Sequence, residues 1–347
     1  MKKHILFSII TFSFTLAFVN CSRMEIEAPD GFSAVPTDSV FTVGDTVKFN
    51  LTGSPDQVEF FSGEPGMNYA NINRTSDGSG YAKLVFQTSL QQGVLTNGDS
   101  LQLLISTNLN GYDKNSVANA TWTDITSRNT KWPSKVSTSF TTSDSVNLSD
   151  FINADSVNIA FRYKGKKSAS AQQKWKIQGF SLVHNLPDGT KTGLFAGPQI
   201  SSGYATSAFA YTGWVQVSFK NDTTTGYNVW NVGTAGFSSA SSVKTANGVS
   251  ITNVYPLVFD PGTSTNDEEN DDWVITSKVS LKQVKPDMGN NIKNQMGVTL
   301  TSFNALPTFY YKAPGTYTAT FVAINRDVDK SCQTIRQVQV KILPKSK

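Results

Sequence analysis

The sequence predicts an all-β protein of antiparallel sandwiches, on three observations. Apolar residues alternate with polar ones at period two. Val47, Phe49 and Leu51 alternate with Thr46, Lys48 and Asn50; Val157, Ile159, Phe161 and Tyr163 with Asn158, Ala160, Arg162 and Lys164; Val338, Val340 and Ile342 with Gln337, Gln339 and Lys341. Such runs are bounded by Gly, Asn, Asp and Pro, the residues that make turns. No segment carries a convincing helical apolar period. Many short alternating strands, each with one apolar face to bury, are the pattern of antiparallel sandwiches.

The chain has 347 residues, of which 38% are hydrophobic and 16% charged. That length suits two domains with weakly charged surfaces. The formal net charge is +4, and Lys2 and Lys3 contribute to it from the extreme N-terminus. The remainder is close to neutral, which argues against nucleic acid as a partner, because phosphate binding needs a basic stripe.

Taken from the N-terminus, Met1 to Asn20 reads as an export signal. Lys2 and Lys3 form a positive start, and Ile5 to Val19 an apolar run too short to span a bilayer comfortably. Cys21 follows at once and resembles the lipidation cysteine of bacterial lipoproteins. The local Phe-Val-Asn-Cys departs from the commoner small-residue pattern at Asn20. The resemblance implies cleavage before Cys21 and acyl chains on it, and several chains anchor far more firmly than one. The residues that follow, Ser22 to Glu27, loosely resemble the acidic tag of Bacteroidetes surface lipoproteins. With Cys21 acylated, Cys332 is left alone, so no intramolecular disulfide is expected. His4 leaves with the signal, and His184 is the only other histidine. Histidine-rich zinc sites and Ser-His-Asp or Cys-His arrangements lack the partners they need.

Residues 36–64, "PTDSVFTVGDTVKFNLTGSPDQVEFFSGE", resemble the opening strands of an Ig-like domain of the polycystic-kidney-disease (PKD) type. The closing Gly-Xaa-Tyr-Xaa turn and strands occur only at the C-terminus, in "APGTYTATFVAINRDVDKSCQTIRQVQVKIL". The expected organisation is a signal at 1–20, a lipidated linker at 21–35, a PKD/Ig-like domain from 36–75 plus 286–347, and an inserted domain at 76–285. Two separate domains, the first truncated, are the alternative. The insertion is preferred because strands 46 to 61 alone bury too little to be stable.

The insert resembles the jelly-roll modules of Bacteroidetes surface proteins of the cleaved-adhesin or choice-of-anchor kind. The blocks carrying this are "LQLLISTNLNG", "ATWTDIT", "VNLSDFINADSVNIAFRY", "KWKIQGFSL" and "DDWVITSKVSL". With the flanking Ig-like halves, their order resembles a family of Bacteroidetes lipoproteins whose domain has no known function. The resemblance implies an outer-membrane, lipid-anchored cell-surface protein linked to glycan uptake, with outer-membrane transporter components among its partners. It implies no catalytic activity. The expected function is non-catalytic capture of a polysaccharide or oligosaccharide, with a carbohydrate-binding-like jelly roll. A structural or adhesive protein contacting protein partners is the alternative, and an enzyme such as a glycoside hydrolase the least favoured reading.

Sugars are held by aromatic faces and a few amides and carboxylates. Strand phase sorts the tryptophans: Trp175 with Ile177, and Trp273 with Ile275, Val279 and Leu281, read as core, while Trp122 is ambiguous. In "GWVQVSFKN", Val215, Val217 and Phe219 form the apolar face, so Trp214 shares the other with Gln216, Ser218 and Lys220. Trp214 is thus the leading sugar platform, the competing reading being a ring packed under a loop or on a neighbouring sandwich. Trp132, in the turn-like "RNTKWPS", is a second candidate, and Tyr204, Tyr211 and Tyr227 border the same polar region. The acidic run Asp267, Glu268, Glu269, Asp271 and Asp272 is either a solvated loop or a source of oxygen ligands for calcium, with Asp267, Glu269 and Asp271 the candidate set. No other cofactor is expected. Asp-Ser/Thr triplets starting at Asp38, Asp45, Asp99, Asp144, Asp155 and Asp222 resemble a Bacteroidetes O-glycosylation motif, and Asp-Ser turns also commonly launch strands.

Overall fold

The computed structural model describes residues 26–197, 213–221, 228–232, 241–244, 250–254, 256–293 and 309–345. It is all-β, with several sheets arranged in sandwiches. The chain divides into two compact units: one contains the described residues through Ile72 and again from Asp287, the other runs from Asn73 to Pro286.

In the two-ended unit, strand Ser33–Pro36 pairs antiparallel with Phe49–Thr52. The second sheet has the order Asn290–Lys293, Gln57–Phe61, Gly315–Arg326, Ser331–Leu343, Val40–Thr42. Its backbone is the long hairpin Gly315–Arg326 and Ser331–Leu343, paired from Gly315↔Ile342 to Arg326↔Ser331. Alternation sets which side chains enter the core. Val47, Phe49, Val340 and Ile342 are buried, while Lys48, Asn50, Gln339 and Lys341 are exposed. The centre is aromatic: Phe321 meets Phe49 at 4.9 Å edge-on and Phe60 at 5.0 Å. Phe32 and Ala34 belong to this core as well. The expected linker at 21–35 is therefore corrected at its C-terminal end. The run Phe32, Ala34 is too short for periodicity to register, yet it supplies a buried aromatic and the start of a strand.

The other unit is a sandwich of two larger sheets. One has the order Trp214–Lys220, Asn270–Thr276, Asn158–Gly165, Ser100–Ser106, Thr123–Asp124. The facing sheet runs Trp230–Val232, Leu257–Phe259, Lys174–Asn185, Tyr81–Gln92, Thr141–Thr142, with Lys191–Gly197 and Val146–Asn147 added at its long strands. Between them lies a core that includes Phe86, Phe161, Phe180, Tyr163, Trp175, Trp230 and Phe259. Burial pushes the Tyr163 phenol far above its ordinary pKa, and its hydroxyl donates to Asp99 at 2.9 Å.

The first of these sheets is buried on its outer face too. Leu104, Ala160, Ile275, Val215, Val217 and Trp273 form a second cluster there, capped by Leu109, Val117 and half-buried Trp122. Val117 sits in a short helix, Lys114–Asn119, opened by the Asp113 carboxylate accepting from Ser116 N at 3.0 Å. The sequence shows no helix here because six residues are too few to display a period. Among the described residues no helix is long and apolar enough to cross a membrane.

Candidate functional site

Trp214, the leading sugar platform by strand phase, lies wholly inside the protein, at 0% exposure. Its register partner is Thr276, whose hydroxyl accepts from Ile159 N at 2.9 Å, and Ile159 in turn pairs with Ile105. The indole stacks on Phe161 at 6.2 Å and meets Phe180 and Phe195 edge-on at 4.9 and 5.7 Å. The platform assignment is corrected. Val215 and Val217 do share a face opposite Trp214, but that face is the outer one, made apolar by the helix and loop that cover it. Gln216, in phase with Trp214, is exposed because Trp214–Lys220 is an edge strand.

Trp175 and Trp273 are buried, the latter on the outer face beneath Trp122, with ring centroids 5.0 Å apart. Trp132 is half-buried against Phe86 and donates its indole N–H to Thr126 O at 3.2 Å. Tyr204, Tyr211 and Tyr227 lie outside the described residues. His184 is buried and structural: its Nε2 donates to the carbonyl of Ser79 at 2.7 Å, and its Nδ1 lies 3.4 Å from the Gln283 carbonyl.

The acidic run does not converge on a cation. Asp271 forms a bidentate pair with Arg162, at 2.7 and 2.6 Å, and the guanidinium rests 4.6 Å from the Trp273 ring centre. Glu269 pairs with Lys220 at 2.7 Å, and Glu268 with Lys167. Among the described residues no group of three His, Cys, Asp or Glu side chains is placed to hold a metal. The calcium assignment is corrected accordingly: Asp271 and Glu269 spend their charge on neighbouring side chains across the strands.

The polar groups that do converge come from two short turns. The residues Arg128, Ser145, Asn147, Ser149 and Asp150 line an open cleft of about 430 Å³. Thr126–Arg128 is a 3-10 turn held by Asp124, whose carboxylate accepts from Thr126 N at 2.8 Å. Ser149–Phe151 is a second 3-10 turn, launched when Asn147 Oδ1 accepts from Ser149 N at 2.9 Å and Ser149 Oγ at 2.6 Å. Ile125, Leu148 and Ile152, all buried, anchor the two turns to the sandwich core and leave the polar residues between them outward.

Arg128 ties the turns together. Its guanidinium donates to both carboxylate oxygens of Asp150, at 2.8 and 2.6 Å, and to Asn147 O at 2.6 Å. It also lies 5.5 Å from the Phe151 ring centre. These bonds hold the Asp150 carboxyl below its ordinary pKa and raise that of Arg128. Both side chains stay open to solvent, at 32% and 51%. Beside the cleft, Asp144 accepts from Thr130 N and Oγ1, each at 2.7 Å, which lowers its pKa to about 2.

Sequence reasoning flagged Ser145 only as part of the triplet at Asp144 and missed the other four lining residues. The stretch Asn147-Leu148-Ser149-Asp150 does carry a signal, a buried leucine flanked by turn-forming polar residues, but nothing in it points to Arg128.

Residues 20–201 match the family model described as Domain of unknown function (DUF5017). The match takes in more than half of the 347 residues and every residue lining the cleft, and the chain belongs to that family. No curated protein and no solved structure matches it.

Proposed function

We propose that this DUF5017 protein is a bacterial outer-surface lipoprotein, anchored through Cys21, that holds a neutral poly- or oligosaccharide in the cleft around Arg128 without transforming it. The observation that carries the reading is the Arg128–Asp150–Asn147 network. A sugar hydroxyl both donates and accepts, and this network offers both. Each Asp150 oxygen keeps a second lone pair, Arg128 keeps N–H groups beyond those already used, and the Asn147 amide nitrogen makes no bond to any described residue. The network is fixed before ligand arrives, so little side-chain entropy is lost on binding. Half-buried Trp132 follows the Thr126–Arg128 turn by four residues and is bonded to Thr126 O.

Hydrolysis fits the cleft less well. Glycosidases use two carboxyl groups, one of them an acid of raised pKa. Among the described residues Asp150 is the one carboxylate lining this cleft, and its pKa is lowered. The nearly balanced charge of the chain after Asn20 favours a neutral ligand, whose binding salt would hardly screen. The context implied by the family resemblance, a Bacteroidetes glycan-uptake system with transporter partners, belongs to the same proposal.

The test is affinity electrophoresis in gels containing neutral polysaccharides, with wild type, Asn147→Ala and Asp150→Ala. Each substitution is expected to weaken retardation about tenfold, the effect of a lost hydrogen bond of roughly 1.5 kcal/mol to a charged or well-placed partner. Wild-type retardation that survives both substitutions would move the site away from this cleft. Absence of retardation by any neutral glycan would end the carbohydrate reading.

A further inference from the structure

The first described residues do not approach the fold at random. They run along the outer strand of the long hairpin, starting at its tip. The Cys332 thiol donates to Ile26 O at 3.4 Å, and Asn325 Nδ2, from the residue paired with Cys332, donates to Glu27 O at 3.0 Å. Further from the tip, Thr334 meets Asp30 at 3.2 Å, and Arg336 donates to Asp30 O at 3.0 Å and Phe32 O at 2.9 Å. The chain therefore enters this unit beside the turn 327–330, and then leads away from it into strand Ser33–Pro36.

That turn is built to project. Asp327 accepts from the amides of Asp329 and Lys330 at 2.7 and 2.9 Å, closing the loop. Val328 stands at its apex with 99% of its surface exposed, and Arg326, Asp327, Asp329 and Lys330 around it are all exposed. One apolar side chain ringed by both signs of charge suits a layer of phosphate and ammonium groups more than it suits bulk water.

The length of chain between anchor and fold selects the occupant. Five peptide steps separate Cys21 from Ile26, a reach of at most about 18 Å even when fully extended. The far end of the strand Ser331–Leu343 lies roughly 40 Å from the tip at about 3.3 Å per residue. An acyl group on Cys21 thus keeps the tip end near the bilayer and leaves the far end beyond the tether's reach.

We infer that the hairpin tip, with Val328 at its apex, is the surface through which the anchored protein rests on the lipid headgroup layer. The inference rests on the anchoring of Cys21 and names the partner of the anchored end. It places the unit upright, with its long hairpin rising from the bilayer.

The experiment uses the lipidated full-length protein in phosphatidylethanolamine vesicles that contain a nickel-chelating lipid. A nitroxide is placed at Val328→Cys or at Ser39→Cys, both in a Cys332→Ser background. Ser39 is exposed, and its carbonyl accepts from Lys341 N near the far end of the hairpin. Relaxation of the label by headgroup nickel is expected to be at least fivefold stronger at position 328 than at 39. The difference should vanish for the Cys21→Ala protein, which should not float with vesicles. Equal relaxation at both positions in floating protein overturns the tip contact while leaving anchoring intact. Protein that carries Cys21 yet neither floats nor shows the acyl mass overturns the anchoring, and the tip contact with it.

Discussion

Replacing Trp214 by alanine tests the core assignment directly. The indole is fully buried among Phe161, Phe180 and Phe195. A buried tryptophan removes about 150–250 Å² from water. At about 25 cal/mol per Å², that is roughly 4–6 kcal/mol as an upper bound. Truncations of buried Phe or Trp to Ala cost about 3–5 kcal/mol, cavity included, so the two scales agree. For a unit the size of Asn73–Pro286, each kcal/mol shifts the melting temperature by about 2–4 °C. The expected drop is therefore about 6–20 °C. All six tryptophans lie within that unit, so their fluorescence follows its unfolding without a signal from the other. Trp214→Phe keeps a ring in the same space and should lose less than half as much. A Trp214→Ala protein that melts within about 2 °C of wild type refutes the reasoning, and a selective loss of glycan retardation in such a stable variant would restore the exposed-platform reading.

Acid should loosen the segment beside the cleft. The folded-state pKa of Asp144 is depressed to about 2 by its bonds to Thr130 and Lys131, so the stabilisation it gives is complete above the unfolded value near 3.8 and is lost as pH falls through about 2. Pepsin cleavage around Trp132 should accelerate between those pH values in wild type, and Asp144→Asn should cleave fast across the whole range; a pH-independent wild type would contradict this. Strong reductant should leave the melting temperature of the released Cys21→Ala protein unchanged, since Cys332 is a free thiol. A fall of more than about 3 °C under reductant would reveal an intermolecular cystine.

The all-β class was open to sequence reasoning because alternation is a local property. Val47 to Leu51 and Val338 to Ile342 turn their apolar residues into one core from two different sheets, as period two demands. The same rule fails at Trp214 for a physical reason. Alternation says which residues share a face and is silent on which of the two faces is wet. In the sheet holding Trp214 the outer face is roofed by Leu109, Val117 and Trp122, from a segment more than ninety residues earlier in the chain. Neighbouring Asn158–Gly165 shows the same double burial, with Ile159 and Phe161 facing one cluster and Ala160 the other.

The cleft was hidden for a different reason. Arg128 and Asp150 are separated by 22 positions and meet only because Ile125 on one side, and Leu148 and Ile152 on the other, dock their turns on a common core. Each turn taken alone is an ordinary polar connection, and its function would be read as none. The pairing creates a group that neither residue has by itself, a carboxylate with free lone pairs held in place by a guanidinium with free protons. Those same docking contacts yield a way to separate fold from recognition. Leu148→Ala should lower the melting temperature and glycan binding together, because it undermines the platform, whereas Asn147→Ala, whose exposed side chain bonds only Ser149, should cost no more than the roughly 1 kcal/mol of a lost turn cap and reduce binding by more than that stability loss explains. If Leu148→Ala lost stability but bound glycan as tightly as wild type at a temperature where it remains folded, the cleft geometry would not be what the ligand reads.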